Sequence, residues 1–130
     1  VEAMTREGLE LAFAEAARKK AEFMYLSGDP LPLAHPDFVA ELALRYRLPV
    51  MFLFHQHVEA GGLMSYGVDL ADLFRRAASY VDKILRGAEP RDLPIEEPTR
   101  YMLVINMKTA RALGLSIPQS VLLRAERVIE

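Results

Sequence analysis

The sequence predicts an α/β fold in which a parallel sheet is flanked by helices. Two observations support this prediction. Helical and strand patterns alternate along the first half of the chain, and the short apolar runs are hydrophobic on both of their faces. Alternation of this kind favours parallel strands joined by right-handed crossovers, and strands covered by helices on both sides need two apolar faces. Because 130 residues suit one domain, we expect a single α/β lobe over residues 1–130.

The first helix is predicted over residues 5–20, where apolar residues recur at i, i+3, i+4 and i+7. Thr5 suits its N-cap position. The apolar, aromatic-rich run 23–26 then predicts a short buried strand. A glycine and two prolines within residues 28–32 predict a break in regular structure.

Two further strands are predicted before the middle of the chain. Pro36 suits the first turn of a second helix, which ends near Arg45. The apolar run 49–54 follows as a second buried strand. A third strand is predicted over residues 63–66, which lie between glycines.

The second half of the chain begins with a long predicted helix over residues 69–86. An aspartate suited to the N-cap begins this helix, and a glycine follows its end. The proline-containing residues 88–99 predict a stiff, extended connector. A fourth strand is predicted over residues 101–105, and Asn106 is expected to cap a short helix. A strand around residues 121–123 is predicted in the tail.

The composition excludes several classes of function. The formal net charge of −2 and a pI of about 6.0 disfavour nucleic-acid binding, which depends on a basic surface. The absence of cysteine excludes disulfides, thiolate metal sites and a cysteine nucleophile. Neither a G-x-S-x-G nor an H-E-x-x-H motif occurs, so we expect no enzymatic activity, no metal and no other cofactor. No signal-peptide pattern is recognisable in this chain.

The residues that follow the predicted strands are the candidates for ligand binding, because ligands of parallel α/β sheets bind beyond the carboxyl ends of the strands. They are Ser27 and Asp29 after the first strand, Phe54, His55 and Gln56 after the second, and Ser65 and Tyr66 on the third.

Two of these candidates have alternative interpretations. Asp29 either accepts hydrogen bonds from a ligand or shapes the turn before Pro30. His55 and His57 would point the same way on a strand, but a zinc site needs at least a third protein ligand. We therefore favour a ligand-facing lining from Phe54 to Gln56 and a surface turn at His57.

The glycines of the middle segment are interpreted as a hinge. Gly61, Gly62 and Gly67 lack the spacing of a dinucleotide-binding motif and the Lys-Ser/Thr ending of a P-loop. Gly61 and Gly62 also precede a strand, whereas a phosphate-binding loop follows one. A hinge or crossover, where glycine absorbs unusual backbone angles, fits this position better.

A family resemblance is carried by three long stretches. They are FLFHQHVEAGGLMSYGVDLADLFRRA (52–77), ASYVDKILRGAEPRDLPIEEPT (78–99) and LVINMKTARALGLSIP (103–118). With these motifs, nearly the whole chain resembles the C-terminal part of the ABC-transporter substrate-binding proteins that include tryptophan- and tyrosine-type binders. The resemblance implies a type I periplasmic-binding-protein fold, in which a solute binds between two lobes joined by three crossovers. The present chain would supply the second, Rossmann-like lobe and the crossover helix 69–86.

The resemblance also implies roles for individual residues. The run Ser27-Gly28-Asp29-Pro30 matches the family's aspartate motif after a strand, although Gly28 stands where the family usually has Ser or Thr. Phe54, His55 and Gln56 match the edge of the cleft. Ser65 and Tyr66 match a segment that crosses between the lobes.

The function that follows from the resemblance is solute binding for an ABC importer, by a fragment of a longer protein. The implied ligand is a small solute such as an amino acid, and the implied partners are permease subunits. The full-length parent would act in the periplasm or elsewhere outside the cytoplasm, soluble or lipid-anchored. The alternative is an autonomous α/β sensor or assembly domain that forms a homodimer through its exposed apolar surface.

Overall fold

The computed structural model of the protein describes residues 5–130, which divide into two compact units. The first unit holds a five-stranded sheet and comprises the chain up to Gly67 and again from Met102 onward. The second comprises Val68–Tyr101. That residues 1–130 form a single lobe stays a prediction.

The elements follow one another as helix and strand along most of the chain. The strands are β1 (Met24–Leu26), β2 (Val50–Phe52), β3 (Met64–Val68), β4 (Tyr101–Asn106) and β5 (Arg127–Ile129). The helices are α1 (Arg6–Arg18), α2 (Pro30–Ala34), α3 (Pro36–Arg45), α4 (His55–Glu59), α5 (Leu70–Leu85), α6 (Met107–Leu113) and α7 (Gln119–Leu122).

The sheet is mostly parallel, as predicted. Its strand order is β1-β2-β3-β4-β5, and the pairs β1–β2, β2–β3 and β4–β5 run parallel. The Asn106 N–H donates to the Leu63 carbonyl over 2.8 Å, which places the end of β4 beside the start of β3, as in an antiparallel pair. The chain therefore leaves the first unit at the carboxyl end of β3 and returns at the start of β4, which lies at the same end of the sheet.

The core of the first unit lies between the sheet and helices α1 and α3. Phe13 is 1% exposed, and Leu42 and Phe52 are fully buried. Burial of side chains of this size stabilises the fold by about 1.5–3 kcal/mol each. The Thr5 hydroxyl accepts a hydrogen bond from the Gly8 N–H over 3.0 Å, so the predicted cap of α1 is confirmed.

The first predicted strand is correct in position but wrong in burial. Phe23 and Tyr25 are 51% and 54% exposed, because β1 is an edge strand of the sheet. The predicted break over residues 28–32 is also wrong, since α2 begins at Pro30. A proline in the first turn already has the helical φ angle and needs no N–H donor there.

The second strand is shorter than the predicted run 49–54. It ends at Phe52, and residues 55–59 form α4. His57, predicted in a surface turn, is only 2% exposed. As His55 and His57 lie on a helix, their side chains do not share a face, which removes the geometric basis of a paired metal site. Among the described residues, no group of three or more potential ligands could hold a metal ion.

The tail differs from its prediction as well. Residues 121–123 were predicted as a strand, yet α7 covers Gln119–Leu122 and the strand β5 forms later. The cap of α6 is confirmed, because the Asn106 side chain accepts from the Thr109 N–H over 3.1 Å. Gly114 ends α6 in the left-handed conformation.

The second unit consists of α5 and the connector that follows it. The predicted N-cap is confirmed, because the Asp69 carboxylate accepts hydrogen bonds from the N–H groups of the first turn of α5. The Tyr80 hydroxyl donates to the Pro94 carbonyl over 2.6 Å, and Arg76 donates to Thr99 over 2.8 Å. These contacts hold the proline-rich connector along the helix, although no residue of α5 is buried. Contrary to the prediction, the connector is not extended throughout, because Pro90–Asp92 forms a short 3-10 helix.

None of the described helices has both the length and the apolar character needed to cross a bilayer.

Gly67, near the end of β3, packs against Leu53, the residue that follows β2. A Cβ added at Gly67 would overlap the Leu53 carbonyl oxygen and lie 2.9 Å from Leu53 Cδ1. Glycine is therefore required at position 67 by lack of space.

We expect Gly67→Ala to lower the free energy of unfolding by about 3 kcal/mol or more, because the backbone of residue 53 must shift to admit the methyl group. Gly87→Ala is the matched control: Gly87 has a positive φ of 100° but nothing within 4 Å of an added Cβ. It should cost only the backbone strain, about 1–2 kcal/mol. Urea denaturation compares the two, and equal losses would contradict a steric role for Gly67.

Candidate functional site

The carboxyl ends of β1 and β2 bring three of the sequence-predicted ligand residues together. Ser27 and Asp29 follow β1, and Phe54 follows the neighbouring β2. An added Cβ at Gly28, between the two polar residues, would lie 3.0 Å from Phe54 Cε2 and 2.7 Å from Leu53 Cδ2. Gly28, between the two polar residues, therefore packs against the ring of Phe54, which is itself 8% exposed.

The carboxylate of Asp29 is oriented by its neighbour in sequence. The Ser27 hydroxyl donates to Asp29 Oδ2 over 2.6 Å. Asp29 is the N-cap residue of α2 but makes no side-chain capping bond. The residue is exposed to solvent. Its carboxylate is thus held in place and remains accessible, unlike a carboxylate that accepts hydrogen bonds from the N–H groups of a helix it caps.

A cavity of about 360 Å³ lies between α1 and β1 and reaches this polar pair. Its lining is mostly apolar, and its polar members include Glu15 and Lys19 as well as Ser27 and Asp29. The apolar part is lined by Leu9, Ala12, Phe13, Ala16, Met24, Leu26 and Pro32.

His55, the residue after Phe54, lies beside the ion pair between Glu59 and Arg127. Glu59 Oε1 accepts from Arg127 Nη2 over 2.7 Å and lies 3.2 Å from His55 Nδ1. The hydrogen bond from Arg127 is the largest of the effects that hold the pKa of Glu59 below its ordinary value, and burial opposes it. Glu59 thereby orients the imidazole ring, leaving its Nε2 edge for other contacts.

The remaining polar candidates differ in burial. Ser65 is 1% exposed and pairs in register with Phe52, the last residue of β2, so its side chain is buried level with the carboxyl end of that strand. Among the described residues, neither Ser65 Oγ nor Gln56 Oε1 has a hydrogen-bond partner. Tyr66 is 48% exposed. Buried polar atoms of this kind are usually paired, so both oxygens are suited to accept a bond from a bound molecule or water.

The three hinge glycines lie in different places. Gly61 and Gly62 form the turn after α4, where their N–H groups donate to the carbonyls of Val58 and His57. Gly67 is the last residue of the first of the two segments that form the first unit. Their role as a hinge stays a prediction.

Sequence reasoning missed the buried position of His57. Its ring stacks on Phe52 with centroids 4.8 Å apart. The helix that buries it begins after Phe54, which provides no side-chain cap. Because the sequence lacks the usual Ser, Thr, Asp or Asn signal at this point, the change from strand to helix was not recognisable.

Comparison with known proteins gives one family match. The family of ABC transporter substrate binding proteins matches residues 1–129. A search of curated proteins found no match.

Three solved structures resemble the chain. A conserved domain protein from Vibrio cholerae O1 biovar El Tor is 29% identical, with a TM-score of 0.89 over 98% of this chain. An ABC domain from Streptococcus pneumoniae, in complex with L-Trp, is 27% identical with a TM-score of 0.80 over 95% of this chain. The ligand-free, open structure of a substrate binding protein with adhesive properties from Clostridium difficile is 22% identical, with a TM-score of 0.65 over 96% of this chain, and supports the fold alone.

The chain spans less than half of each of these proteins. It covers 43% of the Vibrio chain and 41% of each of the other two.

The ion pair between Glu59 and Arg127 predicts a small, pH-dependent contribution to stability. We expect Arg127→Met to lower the free energy of unfolding at pH 7 by about 0.5 kcal/mol, a small value because both side chains are more than 40% exposed. Since the pair depresses the pKa of Glu59 in the folded state, its contribution is present above the unfolded pKa and is lost as the pH falls through the folded value.

Urea denaturation at pH 7 and at acid pH measures this difference. Arg124→Met, at a neighbouring exposed arginine, is the control and should change stability little at either pH. A loss in Arg127→Met that persists after Glu59 is protonated would contradict the ion-pair explanation.

Proposed function

Because the chain belongs to the family of ABC transporter substrate-binding proteins, we propose that it supplies one wall of a small-solute site. The proposal depends on one observation: the Ser27–Asp29 pair, whose hydroxyl and carboxylate are 2.6 Å apart, is exposed at the carboxyl end of β1, beside the parallel strand β2. This is the edge of an α/β sheet where ligands bind.

The chemistry of this wall favours a solute with both a polar and an apolar part. An oriented carboxylate accepts hydrogen bonds from an ammonium or hydroxyl group, and such charge-assisted bonds are stronger than neutral ones. The apolar lining of the adjoining cavity lies next to it, whereas the ring of Phe54 is only 8% exposed and supports this wall from within. An amino acid combines these features, and the Streptococcus pneumoniae relative was solved with L-Trp. The protein would bind this solute without altering it chemically.

A second wall is part of the proposal, because the chain covers less than half of its solved relatives. In the longer protein, closure of the two lobes over the solute would occur about the segment that contains Gly61, Gly62 and Gly67. Support comes from Gly67, which is the last residue before the chain leaves the first unit. The closed form would then dock on the permease of an ABC importer, outside the cytoplasm.

Binding is tested by calorimetric titration of the chain, and of any longer product of its gene, with a panel of amino acids that starts with L-tryptophan. We expect Asp29→Asn to raise the Kd of the binding protein roughly tenfold or more, because a hydrogen bond to a charged group is weakened. Asp37→Asn, an exposed aspartate in the first turn of α3, is the matched control and should leave Kd unchanged.

Two results would contradict the proposal. One is a longer gene product that binds no member of a broad panel of small solutes. The other is an Asp29→Asn variant that binds the identified solute as tightly as the unaltered protein does.

The second candidate function is assembly, in which the chain is an autonomous domain that forms a homodimer through α5. The observation that favours it is an exposed apolar stripe on that helix. Phe74, Val81 and Leu85 are 72%, 55% and 81% exposed, and their spacing places them along one face. Apolar stripes that are this exposed mark surfaces that contact another protein or another part of the same chain.

If α5 mediates a homodimer, light scattering should give twice the monomer mass, and replacing Val81 with Glu should restore the monomer because a charge is costly in an apolar interface. Lys83→Glu, at an exposed charged position on the same helix, is the control and should leave the mass unchanged. A monomer at high concentration in the unaltered chain would exclude this candidate.

A further inference from the structure

The imidazole of His57 connects two segments that carry candidate ligand residues. It belongs to α4, which follows Phe54, and it is 2% exposed. Its Nε2 lies 3.1 Å from the carbonyl oxygen of Pro32, a residue of α2. Its Nδ1 lies 3.3 Å from the carbonyl oxygen of Phe54. The ring therefore bridges the segment after β1 and the segment after β2.

The contact reaches Asp29 through one short turn. Pro32 lies three residues after Asp29, and the Leu33 N–H donates to the Asp29 carbonyl over 3.3 Å. The Pro32 carbonyl also accepts from the His35 N–H over 3.1 Å. Any displacement of Pro32 away from His57 would therefore move the turn that carries the Asp29 backbone.

The ring has two carbonyl oxygens to satisfy but, when neutral, only one N–H. Burial lowers the pKa of His57, which favours the neutral ring. A neutral imidazole donates through one nitrogen and accepts through the other. The Phe54 carbonyl already accepts from the His57 backbone N–H within the first turn of α4, and the contact to Pro32 is the shorter of the two ring contacts.

We propose that His57 is a positioning residue, whose Nε2–H donates to the Pro32 carbonyl and fixes the Asp29 turn relative to Phe54. That Asp29 and Phe54 contact a solute rests on the proposed function, whereas the connection itself does not. The stack on Phe52, with ring planes 6° apart, holds the imidazole in the orientation that this bond needs.

The role differs from that of an ordinary core side chain. A residue that only fills space would stabilise all elements around it, and its loss would loosen them together. Loss of the Nε2–H bond should loosen α2 specifically, since α2 is the partner that this bond reaches and α3 has its own contacts in the core.

Three variants separate these possibilities. His57→Phe keeps a ring for the stack on Phe52 but has no donor, and His57→Gln keeps an amide N–H that can donate to Pro32. Val58→Ala is the matched control, because it removes volume from the next, fully buried residue of the same helix without touching the bond.

Two measurements on the chain without any solute test the proposal. Long-range proton–nitrogen spectra of the unaltered protein should show the hydrogen on Nε2 of His57. Amide hydrogen exchange should be about fivefold faster at Leu33 and His35 in His57→Phe than in Val58→Ala, after correction for the change in global stability. His57→Gln should restore most of the protection.

A hydrogen on Nδ1, or equal exchange at these two amides in His57→Phe and Val58→Ala, would overturn the proposal. If His57→Phe does not fold, the position of the hydrogen in the unaltered protein still decides it. Both measurements are made without solute. Their outcome therefore does not depend on whether the proposed function is correct.

Discussion

The close approach of β2 and β3 at Leu53 is the constraint on which the candidate site depends. Gly67 leaves no room for a side chain beside the Leu53 carbonyl, and Gly28 leaves little room beside its Cδ2. Gly28, which follows β1, and Gly67, in β3, therefore both pack against Leu53, and Gly28 also packs against the ring of Phe54. A bulkier residue at either glycine would separate the strand ends that form this edge.

Polar groups at this edge are oriented by neighbours more than by helix capping. Ser27 holds the carboxylate of Asp29, and Glu59 holds the ring of His55. Short helices follow both strands, yet neither α2 nor α4 has a side-chain cap. The candidate ligand residues are thus positioned by local hydrogen bonds in a surface whose opposite wall belongs, in the proposed function, to the part of the protein outside this chain.

The fold was predictable from the sequence where local signals are strong. Thr5 precedes an apolar period typical of a helix, Asn106 has a side chain suited to a cap, and both are helix caps in the structure. The signals failed where a short element depends on its neighbours. Phe54 gives no cap signal, so α4 was missed and His57 was placed at the surface, and β1 was predicted to be buried because its apolar run does not reveal that it is an edge strand.

The sequence by itself determined the α/β class, the family resemblance and the set of polar residues that follow the strands, because these depend on residue type and spacing along the chain. Only the tertiary structure decided which of those residues meet. It placed Ser27 and Asp29 beside the segment after β2 and buried the side chain of Ser65. It also buried His57 between Phe52 and the Pro32 carbonyl. These contacts depend on strand order and on the space between neighbouring strands, which no local pattern records.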